Sequence, residues 1–163
     1  MEGGNRVAYL MSWPGVIPAG RTYDHPVSTL DVMPSFASAA QTPLPGDRTY
    51  DGVDLLPFLL GESEAIPHDT LYWKMQWGAA VRAGDWKLVR TPLEEHWLFD
   101  LARDVSESND LSAEYPELTS TLRRSLESWE STHPEPIWRI NDAWHARTLE
   151  RYDQTVVDGF VKR

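Results

Sequence analysis

The fold of this chain is decided by residues 79–111, which read AAVRAGDWKLVRTPLEEHWLFDLARDVSESNDL. Apolar and polar residues alternate on either side of Gly84-Asp85, a two-residue Gly-X loop of the kind that closes β-hairpins. The alternation predicts three facing pairs across the hairpin: Ala83 with Trp86, Val81 with Leu88, and Ala79 with Arg90. One face of this hairpin is therefore mostly apolar and can seat a helix.

Elements on both sides extend the hairpin into a small domain. Strands are predicted over Thr70–Met75 and His96–Leu101, and residues 104–110 read as a polar, acidic turn. Pro116 suits the first turn of a helix. The apolar residues of that helix recur at helical spacing: Leu118, Leu122, Leu126 and Trp129. The prediction is an antiparallel sheet of about four strands with a helix on one face.

The N-terminal part of the chain predicts one strand and one helix. Arg6–Trp13 is apolar and β-favouring. Ser28 is a candidate N-cap with Asp31 completing a capping box, and Pro34 predicts a kink or a helix that begins near it. A stripe expected to be buried follows at helical spacing: Leu30, Met33, Phe36, Ala37 and Ala40.

Less regular segments connect and end these parts. Residues 41–69 are rich in Pro, Gly and Asp, and they predict an irregular segment with one helical turn before Gly61. Near the C-terminus, Asn141 is a candidate cap for a second helix that runs to about Val157.

Composition excludes several classes of function. The net charge of −10 repels polyanions, and no run of Lys and Arg supplies the strong basic patch that would overcome it, so a nucleic-acid role is not expected. No apolar run approaches the roughly 18 residues of a membrane helix, so no membrane role is expected either. The absence of cysteine excludes disulfides, thiolate catalysis and Cys-ligated zinc.

A local excess of positive charge between residues 74 and 90 is the candidate substrate-binding site. Its cations stand against one acid, Asp85, and an amide and an aromatic ring accompany them. The predicted substrate-binding residues are Lys74, Gln76, Trp77, Arg82, Lys87 and Arg90. The hairpin register places Arg82 opposite Lys87, a like-charge pair that costs stability unless an anion or carboxylate lies against it. The alternative is a solvated sheet face whose charges are paired with acids elsewhere.

No catalytic or metal-binding motif is predicted. Two groups of acids lack the closed oxygen-rich loop that calcium requires, and turn or capping roles are favoured for both. One group is Asp51 with Asp54, and the other is Asp104 with Glu107 and Asp110. The five histidines lack zinc-binding spacing.

Three segments in order resemble the type I sulfatases of the alkaline-phosphatase superfamily. WPGVIPAG with VSTLDVMPSFASAA is similar to the strand, loop and helix that close the large domain of that family, and DGVDLLPFLLG is similar to its linker. AVRAGDWKLV and LFDLARDVSESNDL are similar to the hairpin and acidic turn of its small subdomain. Two turn positions depart from the family pattern, Val105 in place of Pro and Asp110 in place of Asn, and the chain beyond about Pro134 is not covered.

The resemblance implies an α/β fold, with the last strand and helix of a large domain followed by a small α+β subdomain. The resemblance implies three parts of this chain. Residues 1–60 are the terminal strand, helix and linker of the large domain, and residues 61–133 form the small subdomain. Residues 134–163 form a charged, partly helical tail. The family acts through a formylglycine made from Cys or Ser and through a divalent metal, usually calcium. Both groups are expected in a catalytic domain outside this chain, and the partners expected are that domain and a sulfated small molecule or carbohydrate.

The only segment that resembles the family's modified motif lies around Ser35. Val32 stands where the motif needs an oxidisable residue, and Phe36 stands where it needs an arginine. We interpret Ser35 as a helix residue, so the chain alone is predicted to be inactive. Two alternatives stay open, a free-standing carbohydrate-binding or interaction module and part of a phosphodiesterase or phosphonate monoester hydrolase. Members of the family are often periplasmic or secreted, and the sequence leaves the location of this chain open.

Overall fold

A computed structural model describes residues 2–75, 78–134, 137 and 141–157, with only the backbone described over 151–157. The chain divides into two compact units. One unit comprises residues 8–69, and the other comprises the residues up to Val7 together with those from Thr70 onward. Within the described ranges, no helix has the length and apolar character needed to cross a membrane. The division proposed above into large-domain, subdomain and tail segments stays a prediction.

The larger unit is built on a four-stranded antiparallel sheet. Its strands are β1 (Thr70–Lys74), β2 (Ala79–Ala83), β3 (Trp86–Arg90) and β4 (His96–Asp100), and they lie in sequence order. All three predicted hairpin pairs are confirmed by the register of β2 on β3. The described part of this unit also contains the helices α1 (Glu2–Asn5), α4 (Pro116–Glu130) and α5 (Asp142–Val157).

Helix α4 covers one face of the sheet, as predicted. Val81, Leu88 and Leu98 are fully buried beneath it. The predicted stripe of α4 supplies the other half of this core: Leu118, Leu122, Leu126 and Trp129. Trp129 stacks on Tyr72 with ring centroids 5.0 Å apart, and Pro116 occupies the first turn of the helix. This core orients the side chains of the opposite sheet face, because alternate strand residues point to opposite sides.

The smaller unit contains a 3₁₀ turn (Thr29–Asp31) followed by α2 (Val32–Ala39) and α3 (Leu56–Leu60). Both hydrogen bonds of the predicted Ser28–Asp31 capping box are present. Since α2 begins at Val32, Pro34 lies in its first turn, where its missing N–H costs nothing. The predicted helical turn before Gly61 is α3, and Gly61 closes it with φ of 77°, a conformation that suits glycine.

The predicted Asn141 cap is also confirmed. Trp144 N donates to Asn141 Oδ1 over 3.0 Å, and α5 extends to Val157.

Two local expectations were wrong. Residues Arg6–Trp13 do not form a strand, because a strand exists only when another segment accepts its hydrogen bonds, and no segment among the described residues pairs with it. The stripe on the 3₁₀ turn and α2 is exposed where burial was predicted: Leu30 is 58%, Met33 57% and Phe36 63% accessible. Helical spacing identifies which residues share a face, and it does not supply the surface that would cover them.

Candidate functional site

Lys87, the second residue of β3, lies in a buried ionic cluster on the sheet face opposite α4. Its ammonium nitrogen is 2.8 Å from Glu2 Oε1 and 2.9 Å from Glu107 Oε1, and it lies 5.7 Å from the ring centroid of Trp73. The lysine is inaccessible to solvent, and both glutamates are buried. A buried lysine stays charged only when carboxylates are close enough to compensate for lost hydration.

Glu107 is held in this cluster by an unusual backbone conformation. Its φ of 55° is left-handed, which a residue with a Cβ rarely adopts. One carboxylate oxygen accepts a hydrogen bond from the backbone N–H of Glu2, and the other meets Lys87 as an ion pair that is not aligned as a hydrogen bond. The acidic turn thus supplies one of the two carboxylates that face the hairpin lysine.

Arg82 is the cross-strand neighbour of Lys87, as predicted. Its Nη1 lies 3.9 Å from Glu2 Oε2, so one carboxylate faces both members of the like-charge pair. The guanidinium also donates from Nε to the Gly84 carbonyl over 2.9 Å. Within the described residues, Arg82 makes no hydrogen bond to a carboxylate, in contrast to Lys87.

Lys74 and Arg90 lie on the other face of the sheet, beside α4. Arg90 donates two hydrogen bonds to Glu130, of 2.6 and 2.9 Å, and Lys74 Nζ lies 3.4 Å from the same carboxylate. The hydrogen bonds to Glu130 raise the pKa of Arg90. Burial acts to raise the pKa of the Glu130 carboxyl, but the hydrogen bond and charge of Arg90, helped by Lys74, outweigh it and hold that pKa below its ordinary value.

We expect this pair to make stability pH-dependent. Because the folded pKa of Glu130 is depressed, its contribution is present above the unfolded value, near 4.3, and is lost as pH falls through the folded value. Glu130→Gln should lower the free energy of unfolding by about 1–3 kcal/mol at neutral pH and by much less at about pH 3. Urea denaturation at both pH values measures this.

Glu94→Gln is the matched control, since the exposed Glu94 carboxylate lies 3.8 Å from Arg90 Nε. Its effect should stay below about 0.5 kcal/mol. An equal loss for Glu130→Gln at both pH values would contradict an ionic origin.

The six predicted substrate-binding residues therefore do not form one surface. Two of them, Gln76 and Trp77, lie outside the described residues. The other four divide between the two faces of the sheet, with Lys74 and Arg90 on one and Arg82 and Lys87 on the other. Contact with a substrate stays a prediction for all six.

The acidic turn uses its other carboxylates to order the backbone, as predicted. Asp104 accepts hydrogen bonds from the backbone N–H groups of Ser108 and Asn109, of 2.7 and 2.8 Å. Burial raises the pKa of Asp104, and these hydrogen bonds lower it by more. Asp110 Oδ1 accepts from the N–H groups of Leu98 and Ser112, both at 2.9 Å, which joins the turn to β4.

The smaller unit contains a buried pair that the sequence did not predict. Asp31 is inaccessible to solvent, and its two carboxylate oxygens lie 2.8 and 2.9 Å from Nε2 of His68. The same carboxylate accepts from Ser28 N over 2.7 Å and from Val53 N over 2.9 Å. The capping pattern identified Asp31, but His68 is 37 residues away with no local signal.

The described residues do not fit a formylglycine or calcium site. Ser35 is buried, donates from Oγ to the Asp31 carbonyl over 2.7 Å and accepts from Leu55 N over 2.9 Å. Its hydroxyl thus donates one structural hydrogen bond and accepts another. No group of three His, Asp or Glu side chains that could hold a metal ion occurs in the described part of the chain.

Comparison with curated proteins finds sulfatases. The chain is 46% identical to human steryl-sulfatase over 71 residues, which are 44% of this chain and 12% of that protein. It is 35% identical to human arylsulfatase G over 120 residues, which are 71% of this chain and 22% of that protein. No protein-family model matches the chain.

Comparison with solved structures finds a similar fold over most of the chain. The crystal structure of Ps i-CgsB superposes with a TM-score of 0.68 at 28% identity, covering 88% of this chain and 34% of that one. The same protein has been solved in complex with k-i-k-neocarrahexaose. The chain thus spans about a third or less of each protein described here that it matches.

Proposed function

This chain is homologous to the C-terminal region of the sulfatases, and on that premise we propose that it forms the C-terminal part of a polypeptide that hydrolyses sulfate esters. The observation that carries the proposal is the 35% identity with human arylsulfatase G over 71% of the chain. The role proposed for the chain is to support the catalytic region and to supply part of the wall that faces the substrate.

The catalytic groups belong outside this chain in the proposal. Calcium and formylglycine are the family's groups, and Ser35 and the described acids do not fit them. The chain alone should therefore not turn over a sulfate ester. What its residues contribute is a rigid hairpin, because a buried lysine, two buried glutamates and an aromatic ring fix β3 against the acidic turn.

A sulfated carbohydrate or small molecule is the proposed substrate class. The complex of Ps i-CgsB with a neocarrahexaose supports a saccharide. Among the four described cations predicted to bind substrate, Arg82 is the best placed, since its guanidinium is partly exposed and is not hydrogen-bonded to a carboxylate within the described residues. Lys87 is enclosed, Arg90 is hydrogen-bonded to Glu130, and Lys74 lies 3.4 Å from the same Glu130 carboxylate.

A pair of fusions tests the function. In one, the chain replaces the aligned part of human arylsulfatase G, and in the other it replaces the corresponding part of a phosphonate monoester hydrolase. We expect sulfate ester hydrolysis by the first fusion, little phosphonate hydrolysis by the second, and none of either by the chain alone. In the first fusion, Arg82→Gln should raise KM for a sulfated oligosaccharide and leave kcat nearly unchanged, while Arg124→Gln, at an exposed position of α4, should change neither.

The outcomes separate the alternatives. Turnover by the chain alone would contradict the proposal, and so would an inactive sulfatase fusion. Greater activity in the phosphonate hydrolase fusion would favour that relative. If the isolated chain binds a sulfated oligosaccharide with the same Kd as the fusion, a free-standing carbohydrate-binding module is favoured.

A further inference from the structure

A cavity of about 340 Å³ lies where β3, the acidic turn and the start of α4 meet. Two aromatic rings line it, those of Trp86 and Tyr115, with centroids 5.2 Å apart and planes inclined by 56°. Trp86 also packs on the core beneath α4, whereas Tyr115 is 38% exposed. One ring of this aromatic wall is therefore anchored in the core, and the other is open to solvent.

Polar side chains of two kinds complete the lining. Asn109 and Arg103 bring amide and guanidinium N–H donors, and Asp100 and Glu114 bring carboxylate acceptors. The Asp100 carboxylate lies 3.5 Å from Arg103 Nε, and the other two side chains belong to exposed residues. A sugar hydroxyl both donates and accepts hydrogen bonds, so it needs both kinds of partner. A site for a cation needs acceptors alone, and the guanidinium argues against one.

Backbone hydrogen bonds fix the frame of the cavity. Leu101 N donates to the Asp85 carbonyl over 2.8 Å, which ties the end of β4 to the hairpin loop. Leu111 N donates to the Leu98 carbonyl, also over 2.8 Å, which ties the end of the acidic turn to β4. Tyr115 N in turn donates to the Leu111 carbonyl over 3.0 Å. A surface fixed before binding loses less conformational entropy when a ligand covers it.

We propose that this cavity is a saccharide-binding subsite for an uncharged sugar unit. The apolar C–H face of a sugar ring packs on an aromatic side chain, and its hydroxyls hydrogen-bond to the polar groups around that ring. The volume lies at the small end of ligand pockets, which span roughly 300–1,000 Å³. The subsite goes beyond the proposed function and does not rest on it, because it recognises the part of a carbohydrate that carries no sulfate.

Charge is the reason for an uncharged unit. The described lining residues include three acids, Asp100, Asp104 and Glu114, and one base, Arg103. Three negative charges and one positive charge leave a net charge of −2, which repels a sulfate group.

Titration of the 163-residue chain with oligosaccharides tests the subsite. The probes are cellohexaose, maltohexaose and neoagarohexaose, each also in a sulfated form. Two-dimensional NMR gives Kd from the assigned indole N–H signal of Trp86, which reports this cavity rather than another site. We expect at least one uncharged hexaose to shift that signal, and its sulfated form to bind about tenfold or more weakly at low ionic strength. The difference should narrow at about 0.5 M salt, because salt screens repulsion between exposed charges.

Two variants remove parts of the subsite. Tyr115→Ala removes the open ring, and Kd should rise by about tenfold or more. The Tyr115 side chain does not cap α4, and circular dichroism checks that helix content is kept. Asn109→Ala keeps the backbone N–H that Asp104 accepts, so the turn stays ordered, and Kd should rise by about threefold to tenfold. Trp144→Ala is the matched control, since Trp144 is an aromatic residue of α5, 60% exposed, that lies outside the cavity.

The control should bind like the unaltered chain. The proposal is overturned if no uncharged hexaose shifts the Trp86 signal, or if Tyr115→Ala and Asn109→Ala bind as tightly as the control. Equal Kd values for the sulfated and uncharged forms would also overturn it, because the class of ligand would then be wrong. The fusion assay is independent of these results. An inactive sulfatase fusion with intact saccharide binding would sink the proposed function alone, and an active fusion without that binding would sink this subsite alone.

Discussion

Replacing Lys87 with methionine is expected to destabilise the sheet by about 3–5 kcal/mol, because it leaves two buried carboxylates without their cation. Glu2 and Glu107 are both enclosed, and neither can turn to solvent without opening the contact between α1 and the acidic turn. Methionine preserves the apolar stem of lysine, so the loss reports the charge. Urea denaturation followed by far-UV circular dichroism at neutral pH measures it.

Arg82→Met is the matched control on the neighbouring strand. Arg82 lies on the same sheet face, but its nearest carboxylate oxygen is 3.9 Å away, so we expect a loss below about 1 kcal/mol. Adding Glu2→Gln and Glu107→Gln to Lys87→Met should restore most of the stability, since no buried charge then lacks a partner. If the free energy of unfolding of Lys87→Met lies within about 1 kcal/mol of that of the unaltered chain, a difference comparable to the extrapolation error, the ionic cluster does not stabilise the fold.

The sheet was predictable because its signals are local. The alternation around Gly84-Asp85 fixes which residues face each other, and a slip of one residue would invert the apolar face. The helical spacing of Leu122 and Leu126 likewise determines which side of α4 meets the sheet. Each of these inferences needs only residues that are close in the sequence.

The ionic contacts were not predictable because their partners are distant in sequence. Lys87 pairs with Glu2 across 85 residues, and Asp31 pairs with His68 across 37. An excess of Lys and Arg over residues 74–90 suggested one anion-binding surface, but the pleat sends neighbouring cations to opposite faces. Local charge counts cannot show this, because the neutralising acids Glu107 and Glu130 lie in other elements.

Removing the carboxylate of Asp31 is expected to loosen the smaller unit, and this is the second large effect. Asp31→Ala leaves His68 and two backbone N–H groups, those of Ser28 and Val53, without their acceptor in a site closed to solvent. A loss of about 3–5 kcal/mol follows from unpairing buried polar groups. The unit has no sheet. Amide hydrogen exchange over residues 28–60 is the sensitive measurement, because it reports local opening. The exchange rate there should increase by about a hundredfold or more.

Asp54→Ala separates this effect from the loss of an ordinary cap. Its Oδ1 accepts one hydrogen bond, from Leu56 N over 2.9 Å, two residues away, so we expect a loss of about 1 kcal/mol. Asp31→Asn should fall between the two, because its single amide oxygen can still accept from one backbone N–H. Exchange rates in Asp31→Ala no faster than in Asp54→Ala would mean that the Asp31 carboxylate does not hold the start of α2 to the segment around Val53.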